Sequence, residues 1–289
     1  MKNNFKILWI WEIVVDKTYF LDDFPIEGLK LQSTDSIEWV WWPVPTALKF
    51  LQNMWCKVEL IWTTWEDYWK IFIEKELNKY NIKTNFIKNK STKINTILIN
   101  NNSWERTIIK DLDRNDKIEK IDIEKIKQAD AIIFDRTEKE VFDFIIKHKR
   151  EDTIIIVDTS TEYNNKIIDF LKNSSKVIIP VEIINKKNIN LIHKDLSTEG
   201  FNPLQELIIT DWWNWTHIFD WVNKKTIAPE KIKPVDTNWA GDVFRWAYVW
   251  GLLQNWDTEK IIKFANKVAW LQCLKKGNLQ AVPKIEDLI

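Results

Sequence analysis

The chain has 289 residues, a length at which about three quarters of the unfolded surface can be buried, and this suits one large α/β domain better than two. Lys plus Arg and Asp plus Glu are equal at 42 each, so no net basic field favours nucleic acid or an anionic membrane surface as a partner. Cys56 and Cys273 follow no metal or redox spacing, and no run of eighteen apolar residues occurs. These features favour a cytoplasmic protein in a reducing compartment.

Apolar runs and helical periodicities alternate along the chain. Runs rich in Ile and Val are typical of strands covered on both faces, and they predict parallel-sheet strands at 6–15, 58–61, 95–99, 131–134, 153–157, 177–179 and 207–209. Helical periodicity predicts helices at 66–80, 138–149, 164–172 and 240–254, and Asp257 and Thr258 are suitable caps for a last C-terminal helix. Alternation of this kind indicates a βαβ-wound sheet.

Two segments depart from this alternation. Residues 18–40 and 84–109 are polar and strand-prone, and no helical pattern interrupts either of them. They predict a small β extension that covers a site, and we call this predicted extension the lid. The remaining chain contains no internal repeat or low-complexity linker, so a single domain over 1–289 is expected.

The balance of glycine and tryptophan is unusual. The chain contains 19 Trp and only 5 Gly, whereas an average composition predicts roughly twenty Gly in a chain of this length. Many of the tryptophans stand in turn contexts where glycine is favoured, as at Trp41-Trp42 and Trp215. Some bacteria read the codon UGA as glycine, while other translation tables write it as Trp. We therefore hypothesise that many of these positions are glycine in the native protein; the alternative is a Trp-rich core or stacking surface.

The segment with the most chemical content is 236–247, which reads DTNWAGDVFRWA and leads directly into an apolar helix. Small residues at a helix start let backbone amides approach an anion, and the helix dipole adds positive potential there. A carboxylate in that turn, Asp242, can take a proton from a hydroxyl while the amides stabilise a phosphoryl group in transfer. Taken alone, the same pattern is more typical of a capped helix.

With Trp239 and Trp246 read as glycine, this segment resembles the signature of the ribokinase and phosphofructokinase-B family of sugar kinases. The resemblance implies a ribokinase-like three-layer α/β/α sandwich with a mainly parallel central sheet and a small β lid. It also implies that Asp242 is the catalytic base and that the amides around Trp239, Ala240 and Gly241 form the anion hole. Further matches to the family are spread through nearly the whole chain, in the order in which the family has them.

The resemblance assigns the substrate side of the site to the N-terminal half. Asp16 matches the family's first-strand Asp, which hydrogen-bonds sugar hydroxyls. Trp41 and Trp42 match its Gly-Gly turn, and Thr46 stands where the family usually has Asn. Arg136, in the pair Asp135-Arg136, is assigned to substrate through its likeness to the ketohexokinase and sulfofructose kinase branch. A ketose or a ketose derivative is therefore the expected sugar.

The nucleotide side is assigned to the C-terminal half. Residues 210–216 read TDWWNWT and resemble the family's glycine-rich nucleotide loop, which assigns Thr210, Trp212 and Trp215 to ATP. Asn266 falls where the family lines its adenine pocket. The resemblance implies ATP with Mg²⁺, leaves a monovalent cation open, and allows a homodimer formed through the lid. Two alternatives remain: an adenosine-like nucleoside kinase of the same family, and a catalytically decayed homologue that binds nucleotide or sugar.

Overall fold

The structure is a computed structural model of the chain, and it describes residues 4–11, 14–28, 30–40, 43–64, 66–88, 92–103, 105–111, 121–135, 139–158, 165–182, 206–211, 215–219, 223–237, 240–275 and 281–288. Its strands are β1 (Lys6–Trp11), β2 (Val14–Leu21), β3 (Asp35–Val40), β4 (Lys57–Thr64), β5 (Lys83–Lys88), β6 (Lys93–Asn100), β7 (Arg106–Ile109), β8 (Ala131–Asp135), β9 (Ile154–Val157), β10 (Val177–Pro180), β11 (Leu207–Asp211), β12 (Trp215–Phe219) and β13 (Lys224–Ile227). Its helices are α1 (Pro43–Asn53), α2 (Tyr68–Asn78), α3 (Ile123–Gln128), α4 (Lys139–His148), α5 (Asn165–Leu171), α6 (Ala240–Leu253) and α7 (Thr258–Cys273), and a 3-10 turn covers Ile285–Asp287.

Two sheets form the central layer. The first has the order β5-β4-β1-β8-β9 and is parallel throughout. The second has the order β10-β11-β12-β13, in which β10 and β11 are parallel and the later pairs are antiparallel. Ser175 joins the two sheets: its amide donates to the Ile155 carbonyl at 2.7 Å, and its hydroxyl accepts from the Ile155 amide at 2.9 Å.

Helices cover both faces of this layer, because side chains alternate along each strand. From β1, Ile7 and Trp9 enter one apolar cluster with α1, α2, α6 and α7. Leu8 and Ile10 point the other way, into a cluster with α3, α4 and α5. Residues of β10 and β11 contribute to both clusters, so the two sheets share the same core. The predicted α/β class with a mainly parallel central sheet is confirmed.

A separate four-stranded sheet has the order β3-β2-β6-β7. We call it the extension sheet. Strand β2 pairs with β3 in antiparallel and with β6 in parallel orientation, and β7 closes the other edge. The strand predicted at 95–99 lies here and not in the central layer. Residues 84–88 lie in the central layer instead, because β5 pairs with β4.

The single strand predicted over 6–15 is wrong in one respect. It is two strands: β1 ends at Trp11 and belongs to the central layer, and β2 begins at Val14 and belongs to the extension sheet. An apolar run indicates that a strand is buried, but it does not indicate the sheet in which the strand pairs. The division into β1 and β2 could therefore not be predicted from the sequence. The helices predicted at 66–80, 138–149, 164–172 and 240–254 are present with ends within a few residues, and Asp257 caps α7 as predicted.

No helix in the described part of the chain is long and apolar enough to cross a membrane.

Candidate active site

The site is organised around the first turn of α6. Helix α6 begins at Ala240, and Asp242 lies in its first turn. The first amides of a helix have no partner within the helix, so Gly241 and its neighbours can offer N–H groups to an anion. The Ala240 amide makes only a long contact, 3.4 Å, with the Thr237 carbonyl. This turn can therefore hold a carboxylate and anion-binding amides next to each other.

Asp242 does not stand alone. Nη2 of Arg245, one helical turn further along α6, donates to Oδ1 of Asp242 at 2.6 Å. Nε of the same guanidinium lies 3.4 Å from Oδ2 of Asp158, which directly follows β9. The three side chains are largely buried, with 17% of Asp242, 12% of Arg245 and 8% of Asp158 exposed. One cation therefore bridges two shielded carboxylates.

The pKa of Asp242 is raised from 3.8 to about 6: burial is the largest cause, Arg245 opposes it by its charge and its hydrogen bond, and the Asp158 carboxylate adds to the rise. Desolvation disfavours the charged form of a carboxyl group, and a nearby cation favours it. A carboxylate with a pKa near neutrality accepts a proton more readily than an ordinary aspartate and is still mostly ionised at pH 7. Asp242 has the properties that a general base requires.

The extension sheet carries a second buried carboxylate. Asp16 lies on β2 opposite Asn95 of β6, and only 4% of it is exposed. Nδ2 of Asn95 donates to Oδ1 of Asp16 at 3.0 Å. Oδ1 of Asn95 accepts from the Asp111 amide at 3.3 Å. Asp16 is thus held in a fixed orientation, as a residue that binds substrate hydroxyls should be.

Thr46, which the sequence assigned to the sugar, lies in the first part of α1. The residue is fully buried, and its Oγ1 has no hydrogen-bond partner among the described residues. An unpaired buried hydroxyl is costly, by about 1 to 3 kcal/mol. A ligand hydroxyl would remove that cost, which fits the predicted substrate role of Thr46.

The predicted nucleotide residues are grouped on β11, β12 and α7. Thr210 is on β11, and its Cα partner on β12 is Thr216; Trp215 begins β12 and is 46% exposed. Oγ1 of Thr216 donates to Oδ1 of Asn266 at 3.2 Å, whereas Nδ2 of Asn266 is buried without an acceptor in the described chain. The amide of Asn266 is oriented by Thr216 and keeps a donor available.

The strand ends explain why these groups can serve one site. Asp158 follows the carboxyl end of β9, Thr210 lies near the carboxyl end of β11, and β2 with Asp16 follows the carboxyl end of β1. Ligands of open α/β sheets bind outside the carboxyl ends of the parallel strands. Five predicted site residues lie outside the described residues: Trp41, Trp42, Arg136, Trp212 and Trp239.

Three residues around these groups were not predicted. Arg245 stands three positions after Asp242, a spacing at which helical side chains meet, so the sequence held a signal for it. Asp158 could have been noted as a carboxylate directly after an apolar strand. Asn95 carried no signal, because its pairing with Asp16 depends on the register between β2 and β6.

The resemblance also implied Mg²⁺. In the described part of the chain, no cluster of three or more His, Cys, Asp or Glu side chains is arranged to hold a metal ion. We assign none of the described residues to the metal and derive no step through it.

Comparison with known proteins finds a family match in the C-terminal part of the chain. Residues 218–285, which include Asp242, Arg245 and Asn266, match the model of the pfkB family carbohydrate kinases. The match covers less than half of the chain, and it indicates a carbohydrate kinase in the segment that carries the candidate base. No curated protein matches the sequence significantly.

Solved structures with the same fold are numerous. Ribokinase from Arabidopsis thaliana, complexed with ribose and ATP, is 12% identical, with a TM-score of 0.81 over 99% of this chain and 97% of that one. Ribokinase from Thermotoga maritima is 16% identical, with a TM-score of 0.78 over 98% of both chains. A nucleoside kinase from Methanocaldococcus jannaschii is 14% identical, with a TM-score of 0.73 over 99% and 98%. At these identities the likeness establishes a ribokinase-like fold.

Proposed function

We propose that the protein is an ATP-dependent carbohydrate kinase in which Asp242 is the catalytic base. The observation that carries this proposal is the buried carboxylate of Asp242, with a pKa near 6, in the first turn of α6 within the segment that matches the carbohydrate kinases. A base at a helix N-terminus combines proton acceptance with stabilisation of the charge on a transferred phosphoryl group.

The step is an in-line displacement. A sugar hydroxyl loses its proton to a carboxylate oxygen of Asp242 as its oxygen bonds to the γ-phosphorus of ATP. The bond between that phosphorus and the β,γ-bridging oxygen breaks, and its electron pair leaves with ADP. The amides of Ala240 and Gly241, with that of Trp239, would stabilise the negative charge on the phosphoryl oxygens. Magnesium, when bound with ATP, neutralises phosphate charge.

The sugar would meet Asp16, Thr46, the Trp41-Trp42 turn and Arg136, and the nucleotide would meet Thr210, Trp212, Trp215 and Asn266. The orientation of Asp16 by Asn95 supports the first group, as does the hydroxyl of Thr46, which has no partner among the described residues. The second group is supported by Nδ2 of Asn266, for which the described residues offer no acceptor. The extension sheet would act as the lid that excludes water, which limits transfer of phosphate to water.

We propose a ketose or a ketose derivative as the substrate, because the sequence around Pro43 and the pair Asp135-Arg136 resemble the ketohexokinase and sulfofructose kinase branch. A nucleoside is the second candidate, and the likeness to the nucleoside kinase of Methanocaldococcus jannaschii favours including it. A nucleoside needs an apolar or aromatic slot for its base, whereas a ketose needs hydroxyl partners. The buried polar groups of Asp16 and Thr46 favour the sugar.

We also propose that many tryptophans are glycine in the native protein. The clearest support is the C-terminus of α1, where the Cys56 amide donates to the Leu51 carbonyl and Trp55 has a φ of 60°. This is the Schellman ending, whose left-handed position is normally glycine or asparagine. The helices α2 and α6 end in the same way with Asn81 and Asn255 at φ values of 57° and 56°. A half-exposed Trp55 is the exception among the three.

The indole nitrogens give further support for the glycine hypothesis. Nε1 is buried without a hydrogen-bond partner in the described chain at Trp62 and Trp270, two of the positions at which we propose glycine. Buried indole N–H groups usually find an acceptor, and leaving one unpaired costs about 1 to 3 kcal/mol. Mass spectrometry of the natively expressed protein decides the question, because each exchange to glycine lowers the mass. A mass that matches the printed sequence would end the hypothesis.

The activity test uses two full-length proteins, the printed chain and a glycine form. The glycine form carries Gly at Trp11, Trp41, Trp42, Trp55, Trp62, Trp65, Trp69, Trp104, Trp212, Trp215, Trp239, Trp246 and Trp270. Both are assayed for ATP turnover with ketoses, pentoses and nucleosides. We expect sugar-dependent turnover in the glycine form and little or none in the printed chain, because an indole at Trp239 would occupy the anion hole. A glycine form that folds but phosphorylates no sugar or nucleoside would refute the kinase proposal.

A further inference from the structure

Arg245 occupies an unusual position, between two carboxylates and beside the start of a helix. Its Nη2 donates to Asp242 at 2.6 Å, and its Nε lies 3.4 Å from Asp158. Its Nη1 lies 4.0 Å from the point where a Cβ on Gly241 would stand, so the guanidinium lies alongside the predicted anion hole. We propose that Arg245 is a positioning residue that orients the Asp242 carboxylate and keeps it ionised, and that Asp158 anchors Arg245. This inference rests on the proposed kinase function.

The geometry distinguishes this arrangement from an ordinary surface ion pair. Exposed pairs are screened by water and contribute little, but the exposed fractions here are 8 to 17%. The planar guanidinium offers donors in fixed directions, so contact with one carboxylate determines the angle presented to the other. Asp158 directly follows β9 of the central layer, and Asp242 is on α6, which packs against β9. Arg245 therefore links the base on α6 to the end of a central-layer strand.

Asp242 needs a neighbouring cation to stay ionised. Helix α6 packs against α1, α7 and β9. The charged groups that act on Asp242 are Arg245 on α6 itself and Asp158 after β9. Burial and Asp158 both raise the pKa of Asp242, and Arg245 is the group that lowers it. Without Arg245, two shielded carboxylates would face each other, and the base would be protonated over a wider pH range.

The test compares three variants of the glycine form: Arg245→Met, Arg245→Lys and Asp158→Asn. Turnover of the best sugar is measured from pH 5 to 9. For Arg245→Met, the acidic limb of the kcat profile should move up by about one pH unit or more, because an adjacent cation lowers a carboxyl pKa by about 1 to 3 units. Arg245→Lys keeps the charge and should leave the limb near its original position, with a lower plateau because the fixed fork is lost. Asp158→Asn should move the limb to lower pH.

Opposite shifts from two neighbours of one carboxylate are the decisive result, because a merely structural role would lower turnover at every pH without moving the limb. A limb that stays in place in folded Arg245→Met overturns the proposal. If Arg245→Met does not fold, the Asp158→Asn profile decides, and an unmoved limb there overturns it as well.

A second readout does not depend on turnover. The free energy of unfolding is measured against pH for each protein with and without the added exchange Asp242→Asn, and the difference reports the pKa of Asp242 in the folded state. The pKa of Asp242 obtained in this way should rise in Arg245→Met and fall in Asp158→Asn. Equal pKa values in all three proteins refute the inference. Absence of turnover in every protein would instead refute the proposed kinase function, while this titration still decides the role of Arg245.

Discussion

Replacement of Asp242 by Asn should make the protein more stable and less active. The pKa of Asp242 is raised from 3.8 to about 6, first because burial disfavours the charged form. The unfolded chain therefore releases this proton at a lower pH than the folded chain does. As the pH rises between these two values, the unfolded state binds fewer protons than the folded state, so the free energy of unfolding falls. At about 1.4 kcal/mol per pKa unit, burial of the ionised Asp242 lowers the free energy of unfolding by about 3 kcal/mol above pH 6.

Asn has the shape of Asp without its charge, so Asp242→Asn should raise the free energy of unfolding by up to about 3 kcal/mol at pH 8 and have little effect below pH 4. The gain is an upper limit, because the Asn carbonyl oxygen accepts from Arg245 more weakly than the carboxylate does. Urea unfolding at both pH values measures the difference. The matched control is Asp257→Asn, an exchange at an N-cap where the two residues are equally favourable, and it should change little at either pH.

In the glycine form, the same exchange should reduce sugar-dependent turnover by about two to four orders of magnitude, the usual contribution of general-base catalysis, with ATP binding preserved. Turnover within about threefold of the parent would remove Asp242 from its role as the base. A variant that is less stable than the parent at pH 8 would refute the electrostatic argument, because the charged form would then be favoured in the folded state.

Further exchanges test other parts of the structure. Trp55→Gly should stabilise the chain by about 1 to 2 kcal/mol, the cost of a left-handed non-glycine residue, and Asn255→Gly should stabilise it less; equal effects in thermal unfolding would contradict the argument. Asp16→Ala in the glycine form should raise KM for the sugar far more than KM for ATP, and an unchanged sugar KM would count against its placement. Asp67→Ala should destabilise the chain by about 1 kcal/mol more than the simple N-cap exchange Asp257→Ala, because Asp67 also accepts from the hydroxyl of Thr92. Chemical denaturation compares the two variants.

The sequence was sufficient for the local features of this protein. Helical periodicity and caps depend on residues within one or two turns, so the helix over 240–254 and its neighbour capped by Asp257 could be predicted closely. The position of Asp242 in the first turn of a helix followed in the same way. The alternation of apolar strands and helices was enough to predict the α/β class, because it reflects burial on both faces of a parallel sheet.

The tertiary structure decided what depends on partners distant in the chain. Only strand pairing separated β1 from β2 and brought Asn95 onto Asp16, 79 positions away. Only the packing of α6 against β9 brought Arg245 between Asp242 and Asp158. A residue pattern records how deeply a side chain is buried, and it does not record which group lies beside it. The pKa of Asp242 depends on those neighbours, so the chemistry of the site became visible only in the folded chain.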